Sequence, residues 1–384
     1  LAAGHSLRHR LAESGAELLF GHRLWFANRD LDLVVAGPGG QVQLLAGALV
    51  IAAGTTERLV PVPGATLPGV VGLAATTIFL KSHAVVPGGR VLVAGVGPLL
   101  YAVAAGICAG GGQVAAVVDL ARPSDWAAHL PAIATRPDLL LRGLGWIRRL
   151  ASARVPLYFG HTVTAIEGGD RVRAARLSAV DRQWQPVGPE RALAVDTVAI
   201  GHGLTPATET ARLIGVPHRY RPQEGGFVPK LGWDRTSGVP NVYIAGDCAG
   251  IAGAAAAVQS GRLAGLRAAR DLGALEKAAF ERRARPVRAK LRRAESFGQA
   301  ISRLMTVRPG LVGAIPEEVV VCRCEDVTRA KIEAAAAKGA KTVNQLKSTT
   351  RCGMGPCQGR VCADTAGDLV ALATGTVRSE AGQW

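Results

Sequence analysis

The chain has 384 residues, 48% of them hydrophobic, with a formal net charge of +16 and a pI near 10.3. That length allows two or three domains, each with a core of its own. So basic a chain invites a nucleic-acid reading, but an aromatic content of 4% and the absence of any recognition-helix, RNP-type or finger pattern speak against it.

Residues 1–61 predict a short helix around "HSLRHRLAESG" and then strands through "ELLFGHRLWFANR", "DLVVAG" and "VQLLAGALVIAAG", with "AGPGGQ" as a hairpin turn. The continuation "ALVIAAGTTERLVPVPG" sets a strand before Gly54 and an exit through Arg58 and Pro63. Residues 62–198 open an α/β region. From Val91 to Val118 no residue is charged, a membrane-span length by that criterion alone. Its glycines punctuate it instead into strand, turn, helix and strand, a buried βαβ unit, so no transmembrane helix is expected. Gly95 and Gly97 form a turn where a pyrophosphate can approach backbone N–H groups at a helix N-terminus. Asp119, 22 residues beyond Gly97, stands where ribose hydroxyls are bound, while Leu100 occupies the third glycine position of the usual pattern.

Residues 199–270 carry "VAIGHGLTP" and "NVYIAGDCAGIAGAAAA". In the second, Asp247 ends a strand between Gly246 and Gly253. An Asp there can bind a flavin ribitol hydroxyl, and the following helix can turn its positive end to the N1/O2 edge of the isoalloxazine. Residues 271–315 read as a basic helical linker whose run "ERRARPVRAKLRR", kinked at Pro286, is a solvated face suited to an acidic partner or an anionic membrane surface.

Residues 316–384 hold five of the seven cysteines, Cys108 and Cys248 being isolated. Disulfide frameworks belong to short secreted domains, and the start of this chain shows no secretory signal. A reduced cytoplasmic compartment is expected, where clustered thiols are metal ligands or redox groups. Cys322 and Cys324, with Cys352, Cys357 and Cys362, offer one thiol more than either zinc or a two-iron two-sulfur cluster needs. Between the two groups lie a helix, a glycine stop and a second short helix. Neither isolated cysteine has a redox partner nearby, which argues against disulfide-reductase chemistry.

The order of these motifs resembles an α/β flavoprotein with two dinucleotide-binding domains. The flavin-type domain would comprise 1–61 and 199–270, with a nucleotide domain, 62–198, inserted; its first glycine-rich βαβ unit, which binds the FAD diphosphate, would precede residue 1. The segment 316–384 resembles the small α-rich 2Fe-2S domain of bacterioferritin-associated ferredoxin. Across the chain, "ATTIFLKSH", "GVGPLLYAVA", "GHGLTPATETARLIG", "AGDCAGIAGAAAA" and "CRCEDVT" with "TRCGMGPCQGRVC" look like the alpha subunits of opine, proline and hydroxyproline dehydrogenases and of hydrogen cyanide synthase.

That resemblance implies an electron-transfer subunit of a hetero-oligomeric dehydrogenase acting on a C–N bond. Substrate oxidation would occur on a beta subunit of amine-oxidase-type FAD fold, with a small third subunit in some complexes. Electrons would pass through an FMN at the interface and the 2Fe-2S cluster to a respiratory-chain acceptor. The cofactor-binding residues would be Gly54, Gly95, Gly97, Asp119, Gly246, Asp247 and Gly253, taking FAD or another adenine nucleotide such as ATP or NAD. Cys322, Cys324, Cys357 and Cys362 would hold the iron, with Cys352 a bystander. No catalytic residue is expected in the chain itself, although His202 and Lys81 are polar residues to watch near a flavin. Location would be cytoplasmic, with at most peripheral membrane contact. The alternatives are a self-sufficient NAD(P)H-dependent reductase and a structural subunit with vestigial clefts.

Overall fold

The computed structural model describes residues 2–383. The uncharged stretch folds as its glycines predict: strand Arg90–Gly95, helix Pro98–Ala109 and strand Gln113–Asp119. Pro98 sits in the first helical turn, where a missing N–H leaves no bond unmade. The strands belong to a five-stranded parallel sheet in the order Val70–Gly72, Thr197–Gly201, Arg90–Gly95, Gln113–Asp119, Leu157–Phe159. Both faces are covered. Val91 and Val93 pack with Leu100, Val103 and Ile107 on one side, and Leu92 and Ala94 with Val163, Ile166 and Leu177 on the other. A strand buried on both faces reads as a continuous apolar run, which accounts for the hydropathy of this stretch. Among the described residues, no helix is long and apolar enough to cross a membrane.

Two long stretches of sequence are each divided between strands. "LYFGHTVTAIEG" turns at Gly160, whose φ of +63° suits a residue without Cβ, and so serves two sheets. Leu157–Phe159 closes the parallel sheet, while His161–Gly168 pairs antiparallel with Val172–Val180, itself paired with Pro186–Ala194. "VQLLAGALVIAAG" separates into Gly40–Leu45, which forms the expected hairpin with Asp32–Gly37, and Leu49–Ile51. Leu49–Ile51 pairs in parallel with Val242–Ile244, so the turns that follow them, at Gly54 and Gly246, leave the same end of the pair. Thr55–Glu57 then pairs with Leu204–Pro206.

The basic segment forms one helix, Lys277–Leu304, with Pro286 inside it. Its apolar side is buried: Phe280, Ala284 and Leu291 pack against Leu263 of helix Ala254–Asp271. Gly298 lies directly on the backbone of Ala252, where any Cβ would overlap. The C-terminal residues form the pair Val320–Cys322 and Val327–Thr328 and helices Arg329–Ala337, Val343–Thr350 and Ala363–Thr374. Thr342 and Gln345 cap the middle helix reciprocally. Ile332, Leu346 and Leu369 share one apolar cluster with Leu120, Trp184 and Leu304, so this segment shares a core with residues at the end of the nucleotide-type sheet.

Candidate functional site

Three glycines around the parallel pair Leu49–Ile51 and Val242–Ile244 make an open cradle. Gly54, Gly246 and Gly253 have φ of +74°, +78° and +83°, and a Cβ on Gly54 or Gly253 would meet no heavy atom within 4 Å. Between the last two stands Asp247. Its Oδ1 accepts the N–H groups of Ala252 at 3.0 Å and Gly253 at 2.8 Å, which fixes the carboxylate at the start of helix Ala254–Asp271. Asp247 lines two cavities, one of about 240 Å³ with Arg288, Arg292 and Ser260, the other of about 220 Å³ with Phe297, Ile301 and Met305. A carboxylate at a helix start beside backbone open to approach is what a flavin ribitol and its ring edge require.

The Gly95–Gly97 turn differs. A Cβ at Gly95 would overlap the carbonyl of Gly201, and one at Gly97 would lie 2.6 Å from Met305 Sδ, at the end of helix Lys277–Leu304. Asp119 is buried with both oxygens engaged: Oδ2 accepts Tyr101 Oη at 2.7 Å and Trp126 Nε1 at 3.1 Å, and Oδ1 accepts Ala121 N at 2.9 Å. Burial pushes its carboxyl up to about 6 against these bonds. Leu100, in the third glycine position, is a core residue.

The five C-terminal cysteines gather at one place. The sulfurs of Cys322, Cys352 and Cys362, all buried, lie within 4.8 Å of one another. Hydrogen bonding from the Cys352 and Cys362 thiols lowers the pKa of Cys322, and the same contact raises that of Cys352. The N–H of Gly353 also points at Cys322 Sγ, at 3.5 Å. Exposed Cys324 shares a hydrogen bond with half-buried Cys357. The structure therefore divides the thiols into a buried trio and an outer pair joined through Cys322 and Cys324. Spacing along the chain had no means of placing Cys352 in the trio.

Residues that carry no motif of their own join the two halves. Asp364, two residues after Cys362, lies 3.1 Å from the Arg58 guanidinium and accepts Thr205 Oγ1 at 2.6 Å, while Arg378 reaches Asp364 at 3.4 Å and Asp368 at 2.8 Å. Neighbouring Glu57 lines the 220 Å³ cavity with its Oε1 accepting Ala74 N at 2.7 Å, at the start of helix Leu73–Ser82. Burial raises its carboxyl to about 7 despite that helix end. The one sequence signal was "TTER" directly after Gly54. His202 is buried and neutral, its pKa lowered to about 4 by burial and then by Arg58, with Nδ1 accepting Val60 N at 3.1 Å. Lys81 is exposed on helix Leu73–Ser82. Cys248 is buried, its thiol directed at the carbonyls of Ala245 and Ile51 at 3.2 and 3.6 Å.

Fold and site together define a flavin oxidoreductase that carries an iron–sulfur domain. Residues 7–261 match the pyridine nucleotide-disulphide oxidoreductase family, and residues 320–371 match the BFD-like 2Fe-2S binding domain. The chain is 34% identical over 330 residues to hydrogen cyanide synthase subunit HcnB of Pseudomonas protegens, covering 85% of this chain and 70% of that protein. It is 32% identical over 382 residues to an opine oxidase subunit of Rhizobium meliloti strain 1021, covering 96% and 79%. L-proline dehydrogenase from P. horikoshii shares the fold, with a TM-score of 0.62 at 18% identity over 94% of this chain and 60% of that one. The chain belongs to the family that HcnB and this opine oxidase subunit represent. The first family match implies FAD and the second a 2Fe-2S cluster; the open glycine cradle and the gathered thiols fit those groups.

Proposed function

We propose that this chain is the electron-transfer subunit of a hetero-oligomeric dehydrogenase that oxidises the C–N bond of an amino acid, imino acid or opine, with the substrate bound on a partner FAD subunit. The observation that carries the reading is the direct contact between the two cofactor regions: Asp364, beside the cysteine cluster, is ion-paired with Arg58 at 3.1 Å and accepts a hydrogen bond from Thr205 of the flavin-type half. Its relatives are named as subunits, which supports a partner. When bound, the flavin supplies hydride acceptance and the cluster single-electron relay. The chain's own part is to hold the two close and to keep water from the space between. The proposed division is 1–61 with 199–270 for the flavin, 62–198 as the inserted nucleotide domain, 271–315 as connecting helix and 316–384 for the cluster. Gly54, Gly246, Asp247 and Gly253 are the proposed flavin contacts. Gly95, Gly97 and Asp119 are proposed as a nucleotide turn that needs Met305 to move.

Co-purification of the complex from its source, with the partner and bound cofactors identified by mass spectrometry, tests this directly. The isolated chain should turn over no amino acid or opine with an artificial acceptor, and should gain activity with its partner; robust turnover alone would sink the reading. For the iron, the proposed ligands remain Cys322, Cys324, Cys357 and Cys362, and the buried trio makes Cys352 the competing fourth ligand. Cys352→Ala should keep the visible absorbance and reduced-state EPR signal of the cluster, and Cys324→Ala should lose or distort both. The reverse pattern moves the ligand role to Cys352.

A further inference from the structure

Buried nitrogen donors without acceptors concentrate at one point in the molecule. Among the described residues, eight buried side-chain polar atoms lack a hydrogen-bond partner, and Arg58 Nε, Arg58 Nη2 and Arg212 Nε are three of them. Arg58 and Arg212 line the same cavity, of about 60 Å³, together with Arg360, Arg378 and Gln358. Its walls come from both halves of the protein: Arg58 follows strand Thr55–Glu57, Arg212 lies on helix Glu209–Leu213, and Arg360 follows Cys357 in the cysteine loop.

The carboxylates nearby are already engaged. Asp364 is shared between Arg58 at 3.1 Å and Arg378 at 3.4 Å, and it stands off the line that an Arg58 Nη2–H bond needs. Glu209 takes Arg360 at 3.2 Å. Glu57 turns its Oε1 to the N–H of Ala74. Arg212 is left with no carboxylate of its own, and burial lowers its pKa. A buried donor without an acceptor costs on the order of 1–3 kcal/mol, and more when it is charged. Three such donors around a space larger than a single water needs amount to an unfilled acceptor position. These donors belong to Arg58 and Arg212, and Arg360 brings a third guanidinium to the cavity from the cysteine loop. A carboxylate offers its lone pairs in one plane, whereas a tetrahedral oxyanion presents oxygens in several directions.

We infer that this cavity binds a small tetrahedral oxyanion of the inorganic phosphate class, held by Arg58, Arg212 and Arg360, which clamps the Cys357–Cys362 loop to the flavin-type half. The inference goes beyond the electron-transfer reading and does not depend on it, since the site needs no partner and no substrate.

The test uses the full chain and inorganic phosphate as the probe, with potassium chloride at matched ionic strength as the reference. Calorimetric titration should show saturable one-site binding. The unfolding midpoint should rise with phosphate and go on rising logarithmically above Kd, as for any ligand of the native state alone. Arg212→Gln should weaken phosphate binding about 10- to 100-fold, the worth of one charge-assisted bond. Arg360→Gln, at a side chain 42% exposed and so tolerant of change, should weaken it about tenfold. Arg176→Gln, in an exposed ion pair with Glu167 and Glu190, should bind as the unaltered chain does. Absence of saturable binding beyond the chloride reference would overturn the site. So would unaltered affinity in Arg360→Gln, whatever the folding of the Arg212 variant.

Discussion

Gly54 and Gly253 in one cradle, and Gly95 and Gly97 in a neighbouring turn, all adopt φ between +74° and +137°, yet their surroundings are opposite. The first two face open space. Gly95 lies against the carbonyl of Gly201, and Gly97 lies under Met305. A positive φ therefore marks where the backbone must turn and says nothing about whether a ligand can reach it. The flavin-type cradle is open because helix Ala254–Asp271 begins there with its carboxylate already fixed. The nucleotide turn is closed because the far end of helix Lys277–Leu304 returns onto it.

The sharpest way to break this contrast is to add a methyl group to each turn. Gly95→Ala should cost more than about 4 kcal/mol, since backbone overlap adds to an unfavourable φ. Gly253→Ala should cost about 1 kcal/mol in denaturant unfolding, while lowering the flavin-to-protein ratio. Similar costs at the two positions would mean that the closed turn relaxes easily.

Next in size is a pH effect from the open side. Glu57 has its carboxyl raised from 4.5 to about 7. Between those values the folded chain holds a proton that the unfolded chain has lost, so stability falls as pH rises across that window. The loss is about 3 kcal/mol at most, an order-of-magnitude figure. Glu57→Gln should flatten the stability profile from about pH 4.5 to 7, measured by denaturant midpoints, and an unchanged slope would assign the titration elsewhere.

Smallest is the effect of unplugging the closed side. Met305→Ala, at a half-buried side chain, should cost about 1–2 kcal/mol. It should also raise the affinity for an adenine nucleotide, read by equilibrium dialysis. A variant that binds no more nucleotide than the unaltered chain would mark the turn as purely structural.

Much of this was legible in the sequence because it is local. The βαβ unit declares itself through uninterrupted valines and alanines between glycines, and the hairpin through "GPGG". Asp247 stands between glycines that only a tight turn explains. What stayed hidden depends on which distant residue returns. Nothing near Gly97 predicts Met305, and nothing near Asp119 announces Tyr101 and Trp126 as its partners. The same holds for Arg58 and Asp364, which meet only after the cysteine segment has packed in place. Cys352 sits in the same few residues as Cys357, and counting spacers cannot decide which of them the chain folds inward.

The apolar cluster that joins Ile332, Leu346 and Leu369 to Leu120, Trp184 and Leu304 gives the cysteine segment and the end of the nucleotide-type sheet a shared core, and the two are expected to unfold together. The segment is poorly suited to amputation. Removing it would strip away part of that shared core, and a ligand or metal bound at the thiols would stabilise a sheet it never touches. Iron loading would then register as a later melting transition of the whole chain rather than of its cysteine segment alone, and a protease acting on the native protein would find no seam at which to release the cluster intact.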